Sequence, residues 1–197
     1  MKKFFLGVFF CVGAAVLGFA QNYYSYGLTP YGFGSAQMLE YNTTQRSSYA
    51  GIQSNFFVGN NFGLLISMGV GFTTSFSVGS NSFPMEHYLG IVTEGLAGLG
   101  YYKDLGKLYF LVGGGLGVES TFISPDFQGW DVGFPSYTSL SFGIGVLASG
   151  GYRITEKLSV YAGLRGVYGI KELSLYAKDV ESPFYITPMI GVGIFRK

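Results

Sequence analysis

The residues best suited to chemistry in this sequence are four charged side chains. Glu94, Glu119 and Arg165 each interrupt a stretch of otherwise uncharged residues, and Lys171 follows Arg165 along the chain. A carboxylate and a guanidinium in such a setting are expected to pair, because an unpaired buried charge costs several kcal/mol. A pair of this kind either gates a pore or holds an interior together, and we favour the static role for Glu94 and Arg165.

Catalytic alternatives have weaker support in the sequence. His87 is the single histidine and follows Glu86, but no nucleophile motif surrounds any serine. Histidine, cysteine and carboxylates do not recur at metal-ligand spacing. The segment 143–148 (GIGVLA) matches a dinucleotide fingerprint in form, yet its glycines alternate as they would within a strand, whereas that fingerprint opens a helix. We therefore expect no enzymatic activity, metal or cofactor.

The charged residues lie in segments that alternate with a period of two. In Leu158–Lys171 the even positions are apolar, apart from a glycine, and the odd positions are mostly small, polar or charged. Successive side chains of a strand point to opposite faces, so this pattern predicts a strand with one apolar face. The same pattern recurs in four further segments, which are Phe62–Phe76, Leu108–Phe122, Thr138–Tyr152 and Phe184–Phe195.

Short and long connections alternate between these segments. Tight turns are predicted at 59–61, 103–107 and 153–157, and longer polar links lie near 40–48, 76–88, 123–136 and 172–183. Strands joined in this way are typical of outer-membrane barrels, with short turns inside and long loops outside. The pattern predicts eight strands at about 31–39, 48–58, 62–75, 88–102, 107–122, 137–152, 158–171 and 184–195.

The composition also favours a membrane protein. Charged residues make up 12% of the 197 residues, aromatic residues make up 18%, and 32 residues are glycine. Lys2 and Lys3 followed by the apolar run Phe4–Leu17 and a small-residue site at Ala20 predict a signal peptide over 1–20 and a barrel domain over 21–197. A retained anchor is the alternative, although the run is short for a span. The net charge of +1 argues against a nucleic-acid partner.

Aromatic residues near the predicted strand ends suggest girdles at the two membrane interfaces. The residues concerned are Phe57, Tyr101, Tyr102, Tyr109 and Tyr152 near the short turns, and Phe72, Phe76, Tyr88, Phe122 and Tyr168 near the long loops. Phe127, Trp130 and Phe134 fall in one long loop. They could contact a partner or lipid headgroups, or could complete the outer girdle.

Three segments carry a resemblance to a known family: GYYKDLGKLYFLVGGGLGV, GGYRITEKLSVYAGLRGVYG and the closing PFYITPMIGVGIFRK. With these hairpins the chain resembles the small OmpA/OmpX-type outer-membrane barrels, but it differs in placing Arg196 and Lys197 after Phe195. The resemblance implies an all-β protein, an eight-stranded antiparallel up-and-down transmembrane β-barrel in contact with bacterial outer-membrane lipid.

Two functions fit such a barrel. The first is a structural or surface-interaction scaffold with a largely plugged lumen, whose loops 76–88 and 123–136 meet host or envelope surface ligands. The alternative is a narrow pore or transporter for small solutes or small apolar molecules. Eight strands leave an interior that side chains can fill, which favours the scaffold. The many lumen glycines favour the transporter, since we expect them to leave unfilled space.

Overall fold

The computed structural model describes residues 23–38, 42–83, 85, 88–125, 137–174 and 180–195. The strands are β1 Tyr23–Met38, β2 Thr43–Gly59, β3 Phe62–Val78, β4 Asn81–Phe83, β5 Tyr88–Leu105, β6 Leu108–Pro125, β7 Tyr137–Arg153, β8 Leu158–Ser174 and β9 Val180–Phe195. No helix in these ranges is both long and apolar enough to cross a membrane. The predicted signal peptide lies outside the described residues.

Eight long antiparallel strands form a closed barrel. Each long strand pairs with its neighbour in the chain, and β1 pairs with β9 to close the sheet. The short strand β4 pairs only with the end of β3, beyond the main barrel. The predicted eight-stranded up-and-down barrel is therefore confirmed, and closure gives each of the eight long strands a partner on both sides.

The strands are longer than a bilayer requires. β2 has 17 residues, and at about 3.3 Å per residue it is about 56 Å long. Tilted by about 40°, it still rises about 43 Å, compared with a hydrocarbon core of about 30 Å. The short turns join the strands at one end of the barrel, and the longer links join them at the other.

The pleat separates an apolar outer wall from a mixed interior. On β8, Leu164 is 48% exposed and Ile170 is 72% exposed, whereas Ser159 and Arg165 are buried. Gly143 and Gly145 of the candidate nucleotide motif lie within β7, so they do not open a helix. The alternation predicted from the sequence therefore distinguishes the outer face of the barrel from the lumen.

The first strand begins earlier than predicted. The expected strand 31–39 is wrong at its start, because β1 begins at Tyr23. Thr29 pairs with Gly51 and Gly32 pairs with Tyr49, so Pro30 and the next residue form a bulge against β2. A bulge tolerates a proline and reverses the parity of side chains, which hides the alternation on either side of it.

The same place interrupts the pairing of β1 with β9. Leu28 pairs with Ile190 and Phe33 pairs with Ile186, so four residues of β1 face three of β9 without assigned partners. We call this region, Thr29–Gly32 opposite 187–189, the β1–β9 gap. It is the widest interruption in any pairing between the described strands.

Several aromatic residues expected in the girdles turn inward instead. Phe57, Tyr102, Tyr109, Phe76 and Tyr88 are buried inside the barrel. Most follow the lumen parity of their strands, and Phe76 does so because β3 has one extra residue where Ser48 pairs with Ser75 and Tyr49 with Thr73. The predicted outward positions are occupied by Phe72, Phe122, Tyr152 and Tyr168.

Candidate functional site in the barrel lumen

A buried ion pair lies at the centre of the lumen. Glu94 on β5 and Arg165 on β8 come from strands that are not neighbours, and the Arg165 Nη2 atom contacts the Glu94 Oε2 atom. Arg165 Nη1 also donates a hydrogen bond of 2.6 Å to Ser67 Oγ on β3. Arg165 is 1% exposed and Glu94 is 8% exposed, so the guanidinium needs these partners to offset its lost hydration.

The other carboxylate oxygen of Glu94 accepts two hydroxyl donors. Thr187 Oγ1 on β9 donates to Glu94 Oε1 over 2.6 Å. The Tyr49 hydroxyl on β2 donates to the same oxygen and lies 2.8 Å from Thr187 Oγ1. Hydrogen bonds to an ionised acceptor are stronger than those between neutral groups. The central cluster, defined as Tyr49, Ser67, Glu94, Arg165 and Thr187, thus joins β2, β3, β5, β8 and β9 through the lumen.

A glycine makes room for the ion pair. A Cβ atom on Gly69 would lie 3.0 Å from Arg165 Nη2 and 3.1 Å from Glu94 Oε2. Gly69 is also the β3 residue that pairs with Glu94 in the sheet. A side chain at this position would therefore displace the charged groups, which are packed directly over the backbone of β3.

The other predicted site residues have different positions. Glu119 is the register partner of Glu94 on β6, is buried, and accepts a hydrogen bond of 3.2 Å from Thr121 Oγ1. Lys171 lies on β8 opposite Phe142, and its side chain is outside the described part of the structure. The loop aromatics Phe127, Trp130 and Phe134 also lie outside the described residues, as does His87.

An aromatic layer crosses the lumen at the short-turn end. It consists of Tyr23, Phe57, Tyr102, Tyr109 and Phe195. The rings of Tyr23 and Phe195 have centroids 5.1 Å apart, and the rings of Phe57 and Tyr102 are stacked at 5.8 Å. The hydroxyls of Tyr23 and Tyr109 are 2.8 Å apart. Side chains from several strands thus meet across the barrel axis at this level.

A charged group, the guanidinium of Arg153, packs against the aromatic layer at the short-turn end of the barrel. The Arg153 guanidinium carbon lies 4.2 Å from the centre of the Phe195 ring, within range of a cation–π contact. Arg153 Nη2 donates to the Tyr102 hydroxyl over 2.7 Å and pairs with Asp104 Oδ2 at 2.6 Å. The last aromatic residue of the described chain is therefore held by partners from other strands.

Lumen glycines are covered by large side chains. A Cβ atom on Gly113 would lie 2.5 Å from Leu65 Cδ2, and one on Gly145 would lie 2.5 Å from Leu96 Cδ1. Both distances are far below an ordinary van der Waals contact. The expectation that lumen glycines leave unfilled space is wrong at these positions, because a neighbouring side chain already occupies the volume of a methyl group.

Within the described ranges no three His, Cys, Asp or Glu side chains form a group that could hold a metal ion. The contacts that sequence reasoning missed are those of Tyr49 and Thr187, and the inward aromatic layer. Parity alone could have indicated part of that layer, since Tyr102 shares the even parity of Glu94 on β5.

Comparisons with known proteins identify the fold. No family model matches the chain, and no curated protein sequence is similar to it. The crystal structure of Neisserial surface protein A has a TM-score of 0.54 at 16% identity, over 88% of this chain and 97% of that chain. The outer membrane protein OprG of Pseudomonas aeruginosa has a TM-score of 0.54 at 13% identity, over 90% and 97%.

A third solved structure is equally distant in sequence. A major outer membrane protein from Thermus thermophilus has a TM-score of 0.52 at 10% identity, over 89% of this chain and 99% of that chain. Each match covers at least 88% of this chain. The chain therefore has the fold of the small OmpA/OmpX-type outer-membrane β-barrels.

Proposed function

We propose that this chain is an outer-membrane scaffold whose lumen is largely plugged and whose long loops meet partners outside the cell. The observation that carries the proposal is the filling of the lumen at successive levels. The aromatic layer crosses it at the short-turn end, and the central cluster crosses it in the middle. A solute would have to displace both to pass along the barrel axis.

A further apolar group lies towards the long-loop end. Phe76, Tyr88 and Ile123 are buried together, with Val78 and Met85 packed against them. These residues belong to β3, β5 and β6 and to the link after β4, so they narrow the lumen from one side. An eight-stranded barrel is only wide enough for side chains to fill it, which supports a plugged lumen.

The outer surface suits the two kinds of partner expected for such a scaffold. Exposed apolar residues such as Leu116 and Ile170 would face outer-membrane lipid. At the long-loop end, β3 and β4 form a small hairpin. It projects beyond the last residue of β3 that pairs with β5. On this proposal the hairpin and the loop 123–136, most of which lies outside the described residues, would meet host or envelope surface ligands.

The test is conductance of the refolded protein in a planar bilayer. We expect no steady openings from the natural sequence, and openings from a variant with Tyr102→Ala, Tyr109→Ala and Arg165→Ala, which removes parts of two layers. Leu164→Ala on the lipid face is the matched control and should remain silent. Reproducible openings of the folded natural protein would overturn the plugged scaffold and support the pore.

The second candidate, transport of small apolar molecules, is favoured by one observation, the β1–β9 gap. There the wall has its longest run of residues without assigned backbone pairs among the described strands, and Tyr31 within the gap is exposed on the outer face. A molecule that leaves the lumen sideways, between β1 and β9, would pass through this part of the wall. Faster transfer of an apolar fluorescent probe into vesicles that contain the natural protein, compared with empty vesicles, would support this role.

A further inference from the structure

The β1–β9 gap is weakened by the chemistry of its own residues. Pro30 lies in the β1 half of the gap and Pro188 lies in the β9 half. Proline has no backbone N–H, so neither residue can donate a hydrogen bond across the pairing. Barrel closure depends on this pairing, because β1 and β9 are the first and last strands of the sheet. Some other interaction must hold the wall together at this level.

Tyr49 spans the gap on the lumen side. It belongs to β2, and its register partner on β1 is Gly32, at the edge of the gap. The Tyr49 ring lies over Gly32, in the space that a Cβ atom there would occupy. Its hydroxyl reaches to within 2.8 Å of Thr187 Oγ1 on β9. The side chain therefore passes over β1 and connects β2 with β9 through the Glu94 oxygen to which both hydroxyls donate.

Glu94 fixes the far end of this connection. Its Oε1 atom accepts hydrogen bonds from both Thr187 and Tyr49, and its Oε2 atom is held by Arg165. Arg165 is in turn the β8 register partner of Thr187. Thr187 is 1% exposed, and its hydroxyl is thus fixed by groups from β2 and β5 at the place where β9 lacks assigned partners on β1.

We propose that Tyr49, Thr187 and Glu94 form a strap that closes the barrel wall across the β1–β9 gap. The strap replaces backbone pairing with side-chain hydrogen bonds, and Gly32 is the residue that lets the Tyr49 ring lie flat against β1. Tyr49 and Thr187 are positioning residues in this role. The strap acts on the wall whether the chain is a scaffold or a transporter.

Hydrogen exchange of the protein in lipid nanodiscs tests the strap. Tyr49→Phe and Thr187→Val each remove one strap hydroxyl and leave the side-chain volume nearly unchanged. We expect the amides of Tyr31–Phe33 and Ile186–Thr187 to exchange about fivefold faster in each variant, which is the effect of losing one buried hydrogen bond. Tyr109→Phe is the matched control, because it removes a lumen hydroxyl on β6, whose pairings with β5 and β7 are uninterrupted.

A disulfide between β1 and β9 distinguishes a local opening of the gap from a general loosening of the barrel. Leu28 and Ile190 are register partners on the outer face and form the last assigned pair before the gap. The chain has a single cysteine, Cys11, in the predicted signal peptide, so two introduced cysteines would pair with each other. Adding Leu28→Cys and Ile190→Cys to Thr187→Val should restore slow exchange when the disulfide is oxidised but not when it is reduced.

Two results would overturn the proposal. One is unchanged exchange at the gap in both strap variants while their heat-dependent gel mobility shows them to be folded. The other is an equal increase at the gap in Tyr109→Phe. Neither result depends on conductance or on probe transfer, so the strap and the proposed function can fail separately.

Discussion

Breaking the central ion pair should destabilise the barrel far more than breaking a comparable pair at its surface. In Arg165→Met the Glu94 carboxylate stays buried at 8% exposure and loses its only guanidinium among the described residues. Removing one partner of a buried pair costs about 3–5 kcal/mol, because the other charge remains uncompensated. The hydrogen bond to Ser67 is lost as well, which places the expected loss in the upper half of that range.

The double variant Glu94→Gln, Arg165→Met gives the decisive comparison. It removes both charges but keeps a carbonyl oxygen that can accept hydrogen bonds from Tyr49 and Thr187. We expect it to recover at least about 2 kcal/mol relative to Arg165→Met alone, since replacing both ions of a buried pair is far less costly than removing one. Asp104→Asn is the control, because it removes one charge of the pair of Arg153 with Asp104, which is partly exposed with side-chain exposures of 22% and 44%, and leaves the contacts of Arg153 with Tyr102 and Phe195 in place. Its expected loss is about 0–1 kcal/mol from the ion pair.

The measurement is the free energy of unfolding in urea, with the protein in lipid vesicles and the folded fraction read from gel mobility. A loss in Arg165→Met equal to that in Asp104→Asn would refute the reasoning. A double variant as unstable as the sum of its two single variants would also refute it, because the two residues would then be energetically independent.

Three further predictions use the same unfolding measurement. Gly113→Ala should lose about 1–3 kcal/mol, because the new methyl group would overlap Leu65 and the backbone of Leu99 and Gly100, and a neutral effect would contradict this close packing. Tyr109→Phe should lose about 1–2 kcal/mol, because its hydroxyl lies 2.8 Å from that of Tyr23 and 3.0 Å from Ser159 Oγ; no loss would mean that these contacts do not form. Leu116→Arg should lose about 2–4 kcal/mol in vesicles, because Leu116 is 78% exposed on the lipid face. A neutral effect there would contradict the assignment of that face to the bilayer.

Most of the fold could be predicted from the sequence because its two signals are local. Alternation such as that of Leu158–Lys171 depends only on the pleat, and turns such as that at Gly106 depend on residue type. Gly106 has a φ of 83° and its N–H is bonded to Asp104 Oδ1 at 2.8 Å, a conformation that glycine adopts with little strain. Eight such strands with short and long links leave few alternatives to a closed barrel.

Parity was harder to predict because bulges leave little trace in the sequence. The extra residue in β3 turns Phe76 into the lumen, and the bulge at Pro30 concealed the first half of β1. One inserted residue moves every later side chain of a strand to the opposite face. Phe76 therefore looked like a girdle residue, and Tyr23 fell outside the predicted first strand. Phe57 and Tyr102 keep the lumen parity of their strands, so their inward direction could have been predicted without the bulges.

The central cluster could be predicted only in part for a related reason. Glu94 and Arg165 stood out because charged residues are rare in these strands. Both also lie a similar number of residues from the short-turn end of their strands. Tyr49 and Thr187 carry no such signal, since hydroxyl side chains are common throughout the chain. Which hydroxyls meet Glu94 depends on the stagger between strands that are far apart in sequence, and a local pattern does not encode that stagger.

The position of the cluster explains why the barrel keeps charges in a lumen that apolar residues could fill. Hydrophobic contacts would serve equally well as packing, and replacing a buried ion pair with apolar residues is often neutral for stability. Apolar contacts are not directional, however, whereas the carboxylate of Glu94 accepts only from donors placed at its oxygens. On the strap proposal, shifting β9 by one residue would turn the Thr187 side chain to the outer face and leave the Glu94 oxygen without one of its donors. The polar cluster would thus penalise a wrong register at the one closure where two prolines and a bulge leave the backbone least able to specify it.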